Sequence, residues 1–239
     1  GAGARAVRGG AGGERVGDAG AWSVPGEGVG RRLMEGDAAS SEPRAGLRAG
    51  LEGEGGTFAD GLVARAGAFE ADEGVPHDVF RALGEKGLMA VNAPAALGGP
   101  DAGTVAYAQA MMQVARGCAS TAVTMAVTNM VGEVVARFGT EAQARAYCPR
   151  LAGGELGAFG LSEVGAGSDP GGMRTVAVPD GDGWVLDGTK QWISHGDASC
   201  VIVVWARPAG AGSRGLSCFL ALRSTRLTPP TTFRVRTPA

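Results

Sequence analysis

A glycine-rich loop is the segment of this 239-residue chain whose residue types are best suited to chemistry. Residues 158–172 read AFGLSEVGAGSDPGG, in which an apolar run leads into closely spaced glycines, the Ser168 hydroxyl and the Asp169 carboxylate. Backbone N–H groups in such a turn can hold a phosphate. The dinucleotide fingerprint G-x-G-x-x-G fails because Pro170 replaces its third glycine. Local chemistry leaves two interpretations open: an anion cradle, or a hairpin connection in which Asp169 caps its own turn.

A second segment with chemical potential follows at residues 187–199, DGTKQWISHGDAS. The pattern predicts a strand in which Trp192 and Ser194 alternate and therefore share one face. A flat indole beside a hydroxyl suits one face and one edge of a planar heteroaromatic ring. An ordinary sheet aromatic is the alternative interpretation of Trp192.

Composition argues against several functional classes. A net charge of −2 and the lack of a basic stripe with interleaved aromatics argue against a nucleic-acid partner. The four cysteines lie far apart without a C-x-x-C pair, which indicates buried thiols of a reducing compartment. Only His77 and His195 are present, so no metal site is expected. The apolar run at 200–206 is too short to cross a bilayer, and the sequence predicts no membrane span.

The elements that must position these residues define an α+β fold. Residues 1–56 are rich in Gly, Ala, Arg and Glu with little to bury, which predicts a disordered low-complexity extension. Residues 57–154 show helical periodicity and predict an all-α domain. Residues 155–222 form short Val- and aromatic-rich runs, which predict an antiparallel β-barrel or sandwich-like domain. The tail at 223–239 is expected to be unstructured or aberrant.

Local signals predict where these elements break. Helices are expected to be interrupted at 74–76 and 117–120. A short polar helix begins after Thr140 and stops at Pro149 or at the Gly153–Gly154 pair. TVAVPDGDGWVLDG predicts a hairpin, because its Asp-Gly pairs supply the positive φ angles of a tight turn.

The two chemical segments together resemble the acyl-CoA dehydrogenase family. AFGLSEVGAGSD followed by WVLDGTKQWIS is similar to the family pattern Leu/Val-Ser/Thr-Glu-x-Gly-x-Gly-Ser-Asp and Gly-x-Lys-x-Trp-Ile-Thr/Ser. GLMAVNAPAALGG and FGTEAQARAYCPRLAGGELGAFGLSE resemble the family's helical domain and its approach to the flavin loop. The resemblance covers roughly residues 57–222.

The resemblance implies FAD as the cofactor. Phe159 to Ser162 would lie along the isoalloxazine ring, and Gly167 and Ser168 would approach the pyrophosphate. Trp192 would pack on the flavin, with the Ser194 hydroxyl at N5. The implied cofactor-binding residues are Phe159, Leu161, Ser162, Gly167, Ser168, Trp192, Ile193 and Ser194. Ser168 would also approach the bound thioester, and Glu163 is interpreted as a structural carboxylate.

The implied activity is α,β-dehydrogenation of an acyl-CoA, in which a glutamate removes the α-proton and the β-hydrogen leaves as hydride to flavin N5. That glutamate is expected in a C-terminal helical domain that this sequence does not contain, so no catalytic residue is assigned and a truncated form is expected. Implied partners are an acyl-CoA, an electron-transfer flavoprotein as acceptor and further copies of the chain in a dimer or tetramer. The implied location is the mitochondrial matrix or the bacterial cytoplasm. Alternatives are an acyl-CoA oxidase or flavin monooxygenase on the same scaffold, and a non-catalytic binding remnant.

Overall fold

Two units make up the part of the chain that the computed structural model describes. It describes residues 15–16, 21–22, 43–71, 74–181, 183–212, 215–222 and 232–236. One unit is helical and the other is built on a β-sheet, so the predicted α+β class is confirmed. Most of the extension predicted to be disordered, and most of the predicted tail, lie outside the described residues.

The helices of the described residues precede the main sheet along the chain. They are α1 (Pro43–Ala71), α2 (His77–Glu85), α3 (Thr104–Gly117), α4 (Ala119–Phe138) and α5 (Glu141–Ala152). The predicted breaks at 74–76 and 117–120 are confirmed. α5 continues through Pro149 and ends before the glycine pair, where Gly154 takes a φ of 95°. A left-handed glycine is a common helix terminator, and it decides between the two predicted stops.

Helix α1 corrects the predicted boundary of the N-terminal extension. Residues 43–56 are helical, although their glycine-rich composition predicted disorder. Leu51 and Ala59 are buried on one face of this helix, and a Cβ at Gly55 would lie 3.2 Å from Gln113 Cβ of α3. A Cβ at Gly117 of α3 would lie 2.4 Å from the Ala59 carbonyl oxygen. The small residues therefore serve a close helix crossing, which composition alone did not reveal.

Helix α4 has the length and hydropathy of a candidate membrane span, which the sequence prediction did not anticipate. It has 20 residues and a mean hydropathy of 1.2 over its most apolar window. Half of that window is buried inside the protein. A buried core helix has the same features, and Asn129 of α4 supports that role. Its side chain accepts from Val91 N at 2.6 Å and donates to Leu88 O at 3.0 Å, which fixes the loop after α2.

The strands of the described residues form one two-stranded ribbon and one six-stranded mixed sheet. They are β1 (Arg15–Val16), β2 (Ala21–Trp22), β3 (Gly157–Gly160), β4 (Val176–Asp180), β5 (Gly183–Thr189), β6 (Val201–Pro208), β7 (Ser217–Leu222) and β8 (Thr232–Arg236). β1 pairs with β2, and the larger sheet runs β3-β6-β4-β5-β8, with β7 also paired to β6. One face of this sheet buries a cluster that includes Trp184, Ile202 and Phe219.

Two features of this sheet differ from the sequence prediction. β6 pairs in parallel with both β3 and β4, so the sheet is mixed rather than antiparallel throughout. The predicted tail contains β8, which pairs antiparallel with β5 and aligns Leu186 with Val235. The alternation of Phe and Val in TTFRVR is the signal that could have predicted this strand. The β4–β5 hairpin is confirmed and closes with Asp180 opposite Gly183.

Candidate functional site

The glycine-rich loop joins β3 to β4 through two successive tight turns. Glu163 N donates to Ala166 O at 2.8 Å, and Ala166 N donates to Glu163 O at 3.2 Å. The Asp169 carboxylate then accepts from Gly171 N at 3.0 Å and caps the short 3₁₀ turn Pro170–Gly172. The predicted capping role of Asp169 is therefore confirmed. The capping role of Asp169 does not account for the glycines at positions 165 and 167.

Gly165 and Gly167 face open space. A Cβ at either residue would find no atom of the described chain within 4 Å, and neither has a left-handed φ. Their N–H groups and that of Ser168 donate no hydrogen bond within the described part of the chain. Neither packing nor backbone conformation within the described residues therefore requires glycine here. Both positions are compatible with the close approach of a ligand to the backbone, which glycine permits.

Glu163 is the anchor of this loop. Its side chain is 7% exposed and accepts from Arg174 N at 2.6 Å, from Thr175 N at 3.0 Å and from the Thr175 hydroxyl. Lys190 Nζ donates to the same carboxylate at 2.8 Å. Burial raises the pKa of Glu163, but the hydrogen bonds from Lys190, Thr175 and Arg174 outweigh burial and lower the pKa to about 2. The four donors that engage this carboxylate agree with the interpretation of Glu163 as a structural residue.

Lys190 carries a fully buried charge that sequence reasoning did not single out. The side chain is 0% exposed, and its stem lies beside Gly160, whose Cβ would be 3.7 Å from Lys190 Cγ. Its three donors meet Glu163 Oε1, Leu161 O at 3.1 Å and Met173 Sδ at 3.7 Å. Burial lowers the pKa of Lys190, and the Glu163 carboxylate offsets part of that effect. The ammonium is thus fully partnered, as a buried charge must be.

Gln191 completes the connection between the two chemical segments. Its backbone N donates to Ser162 O at 2.9 Å, and its side-chain Nε2 donates to Glu163 O at 3.1 Å. Together with the two Lys190 bonds to Leu161 and Glu163, these contacts hold residues 161–163 against residues 190–191. The structure therefore brings together the two segments that the sequence motifs singled out.

Trp192 does not lie on a strand, which corrects the sequence prediction. β5 ends at Thr189, and Trp192 and Ser194 lie in the loop that follows. Trp192 takes a φ of 60° and His195 a φ of 58°. A left-handed backbone at a bulky residue is an outlier of the kind found at ligand sites. The indole is 86% exposed, so nothing in the described chain covers it.

The remaining predicted residues occupy different environments. Leu161, Ser162 and Ser194 are half-buried, and Ser168 is exposed. Phe159 on β3 is half-buried, with its ring centroid 6.4 Å from that of Trp205 on β6. Trp205 Nε1 is buried and has no hydrogen-bond partner within the described residues. The Ile193 side chain is partly buried and packs against the buried sheet cluster.

Arg207 is a second positioning group that sequence reasoning missed. Its guanidinium donates to Gly171 O at 2.8 Å, to Met173 O at 3.3 Å and to Gly212 O. These bonds fix the end of the glycine-rich loop to the strand β6. The Lys in the motif Gly-x-Lys-x-Trp could have signalled Lys190, but Arg207 lies outside both motifs.

Comparison with known proteins decides the family. Family models described as the acyl-CoA dehydrogenase N-terminal domain and middle domain match residues 56–155 and 158–238. The chain belongs to the acyl-CoA dehydrogenase family. The middle-domain match runs past residue 222 and includes β8, in agreement with the correction to the predicted tail.

Individual relatives of this acyl-CoA dehydrogenase family member cover it only in part. It is 42% identical over 149 residues to the mitochondrial short-chain specific acyl-CoA dehydrogenase of Bos taurus, covering 61% of this chain and 36% of that protein. Among solved structures, a Mycobacterium smegmatis glutaryl-CoA dehydrogenase in complex with FADH2 has a TM-score of 0.67 at 27% identity, covering 84% of this chain and 53% of that chain.

A chain in the structure of an electron-transferring flavoprotein of Acidaminococcus fermentans has a TM-score of 0.71 at 25% identity. It covers 80% of this chain and 50% of that chain. The chain thus spans about a third to a half of the length of the relatives it matches.

Proposed function

We propose that this chain forms one wall of the FAD site of an acyl-CoA dehydrogenase. The observation that carries the proposal is the direct joining of residues 161–163 to residues 190–191, since these belong to the two motif segments of the family. The loop between β3 and β4 would face the pyrophosphate. The segment after β5 would face the ring.

The open glycines fit a phosphate group. Gly165 and Gly167 leave room for an approaching anion, and their N–H groups and that of Ser168 are not used by the described chain. An anion gains several charge-assisted hydrogen bonds from such a set of N–H groups. The Ser168 hydroxyl is exposed beside them and would add a donor to the pyrophosphate or to the thioester of the substrate.

The aromatic residues fit a planar ring system. The exposed Trp192 indole offers an apolar face, and the Ser162 and Ser194 hydroxyls would donate to polar edges of the isoalloxazine. Trp205 Nε1, next to Phe159, is a buried donor without a partner in the described chain. An unpaired buried donor is costly, so an acceptor on a bound ligand would stabilise this region.

The chemistry divides between the cofactor and the chain. When bound, FAD would accept the hydride that leaves the β-carbon of an acyl thioester. Leu161 to Ser162 and Trp192 to Ser194 would bind and orient the ring, and Gly167 and Ser168 would bind the phosphates. Glu163 would not accept the substrate proton, because its carboxylate is engaged by Lys190 and Thr175.

The substrate and partners proposed here rest on the family and its relatives. An acyl-CoA substrate is supported by the bovine short-chain enzyme, which also supports a mitochondrial location. Relatives from Bacillus subtilis support a bacterial location equally. An electron-transfer flavoprotein is proposed as the electron acceptor, and assembly into dimers or tetramers is proposed as in the family.

The purified chain offers a direct test. We expect it to take up FAD, with visible flavin absorption and quenching of tryptophan fluorescence that is reduced in W192F. Anaerobic addition of butyryl-CoA and longer acyl-CoAs would then report bleaching and its chain-length preference. A protein that takes up no added FAD contradicts the proposed cofactor site.

The same experiment separates the alternatives. If the reduced flavin is reoxidised rapidly by air, the scaffold serves an oxidase or monooxygenase rather than a dehydrogenase. If FAD binds but no acyl-CoA bleaches it, the chain is a binding remnant in the form tested.

A further inference from the structure

We propose that the buried Glu163–Lys190 pair is the positioning element that holds the two halves of the cofactor wall in their binding-competent arrangement. The inference rests on the proposed FAD site and assigns to these two residues a part in setting FAD affinity. Neither residue would touch the ring or the phosphates. Both would act through Leu161, Ser162 and Trp192.

The placement of the pair supports this role. Lys190 lies two residues before Trp192, and its ammonium donates to the carbonyl of Leu161, one residue before Ser162. A single charged group therefore fixes the spacing between the candidate ring face and the candidate ring edge. Gln191 adds the bond from its N–H to Ser162 O and extends the same connection.

The Glu163 end extends the connection to the phosphate side. Its carboxylate binds the N–H groups of Arg174 and Thr175, at the point where the glycine-rich loop enters β4. The turns that contain Gly165 and Gly167 therefore lie between Glu163 and Arg174, and the Glu163 carboxylate joins these two ends of the segment. Loss of that carboxylate would release both the ring side and the phosphate side of the wall.

A buried ion pair is a poor choice for stability alone, which strengthens the positioning interpretation. Desolvation of both charges offsets most of their attraction, and apolar residues of similar volume often stabilise a core as well. The pair instead restricts the conformation of the loop. A carboxylate with four donors and an ammonium with three acceptors can satisfy all of these bonds in one arrangement of the loop.

The test compares FAD affinity with thermal stability across a set of variants. E163Q and K190M each leave one buried partner alone, whereas the double variant E163Q/K190M removes both charges. E155Q is the matched control, since it breaks an exposed carboxylate–Arg150 pair at 2.7 Å that lies outside both motif segments. FAD dissociation constants are measured well below the melting temperature of each protein.

We expect E163Q and K190M to weaken FAD binding at least tenfold, with E155Q unchanged. The double variant is expected to recover much of the melting temperature, because no unpaired charge remains buried, but none of the affinity. The flavin absorption bands should also lose resolution in every variant that lacks the pair. The proposal is overturned if the FAD affinity rises and falls with the melting temperature across all variants. It is also overturned if E163Q binds FAD as tightly as the wild-type protein does.

Hydrogen exchange in the FAD-free protein keeps the inference separable from the proposed function. In E163Q we expect faster exchange at the amides of Arg174, Thr175 and Gln191, with unchanged exchange in the helices. A wild-type chain that binds no FAD contradicts the proposed site. The exchange rates of these three amides in E163Q then test the positioning role on their own. Wild-type exchange at all three overturns it.

Discussion

Glycines in the helical unit and glycines in the loop between β3 and β4 are used in opposite ways. A Cβ at Gly154 would lie 2.4 Å from the Phe80 carbonyl oxygen, and one at Gly84 would lie 2.6 Å from the Gly153 carbonyl carbon. A Cβ at Gly165 or Gly167 would contact nothing in the described chain. Glycine therefore permits close backbone packing in one region and leaves the backbone exposed in the other.

The two regions are stabilised by different interactions. In the helical unit, backbones approach so closely that side chains are excluded, and stability comes from packing. In the proposed cofactor wall, Glu163 and Lys190 hold the open turns, and order comes from hydrogen bonds and charge. Substitution of a glycine should thus damage folding in the first region and ligand binding in the second.

The largest expected effect is that of G154A. The new methyl group would clash with backbone atoms of Phe80 and Arg81 and would sit on a left-handed φ of 95°. Overpacking and left-handed strain together predict a loss of about 3–5 kcal/mol in the free energy of unfolding. Thermal and urea denaturation followed by circular dichroism measure it. A melting temperature within error of wild type would contradict the close-packing role assigned to Gly154.

Acid is expected to act on the cofactor wall through Glu163. Its pKa falls from 4.5 to about 2 on folding, so its contribution is present above pH 4.5 and is lost as the pH falls towards 2. A shift of this size corresponds to roughly 3 kcal/mol of stability. Denaturation between pH 2 and 6 should show a smaller pH dependence in E163Q. Equal slopes in the two proteins would contradict the assignment of this acid sensitivity to Glu163.

The next effect concerns G167V, which should leave folding intact. Its side chain points into open space, so we expect the melting temperature to stay at the wild-type value. The branched side chain would obstruct a phosphate, and FAD affinity should fall about tenfold, equivalent to about 1.4 kcal/mol. Flavin fluorescence titration measures the loss. Unchanged affinity would show that the open glycines serve no ligand.

The smallest effect is expected for G165A. The residue has no left-handed φ and no neighbour within 4 Å, so a methyl group is tolerated. Because alanine reduces the freedom of the unfolded chain, stability should rise slightly, by up to about 0.5–1 kcal/mol. A matched melting experiment with G154A checks the sign. Destabilisation comparable to that of G154A would erase the distinction between the two kinds of glycine.

Local sequence signals predicted the parts of this structure that depend on neighbouring residues. The Asp-Gly pairs gave the β4–β5 hairpin, and Gly74 to Pro76 gave the break between α1 and α2. The two motifs identified segments that the fold does place side by side. Each of these depends on turn chemistry or on a run of adjacent residues.

The features that escaped prediction depend on residues distant in the chain. The buried Lys190 ammonium is paired with the Glu163 carboxylate, 27 residues earlier in the chain. The spacing of apolar residues in the sequence cannot predict a pairing between two such distant residues. The helix at 43–56 is stabilised by close contact with α3, so its glycines looked like disorder when considered alone. Trp192 and Ser194 alternate like strand residues, but the left-handed backbone at Trp192 ends the extended run. Tertiary context decided all three.

The pairing of β6 with both β3 and β4 has a consequence for the order of folding. Gly157 of β3 aligns with Val201 and Val176 of β4 aligns with Arg207, so both ends of the glycine-rich loop are fastened to one strand that is synthesised later. Closing such non-local pairs is slow, because chain entropy is lost before the contacts form. The wall can therefore take shape only after β6 has left the ribosome and docked. Under the proposed function, cofactor loading would follow the docking of β6 rather than serve as a nucleus around which the sheet assembles.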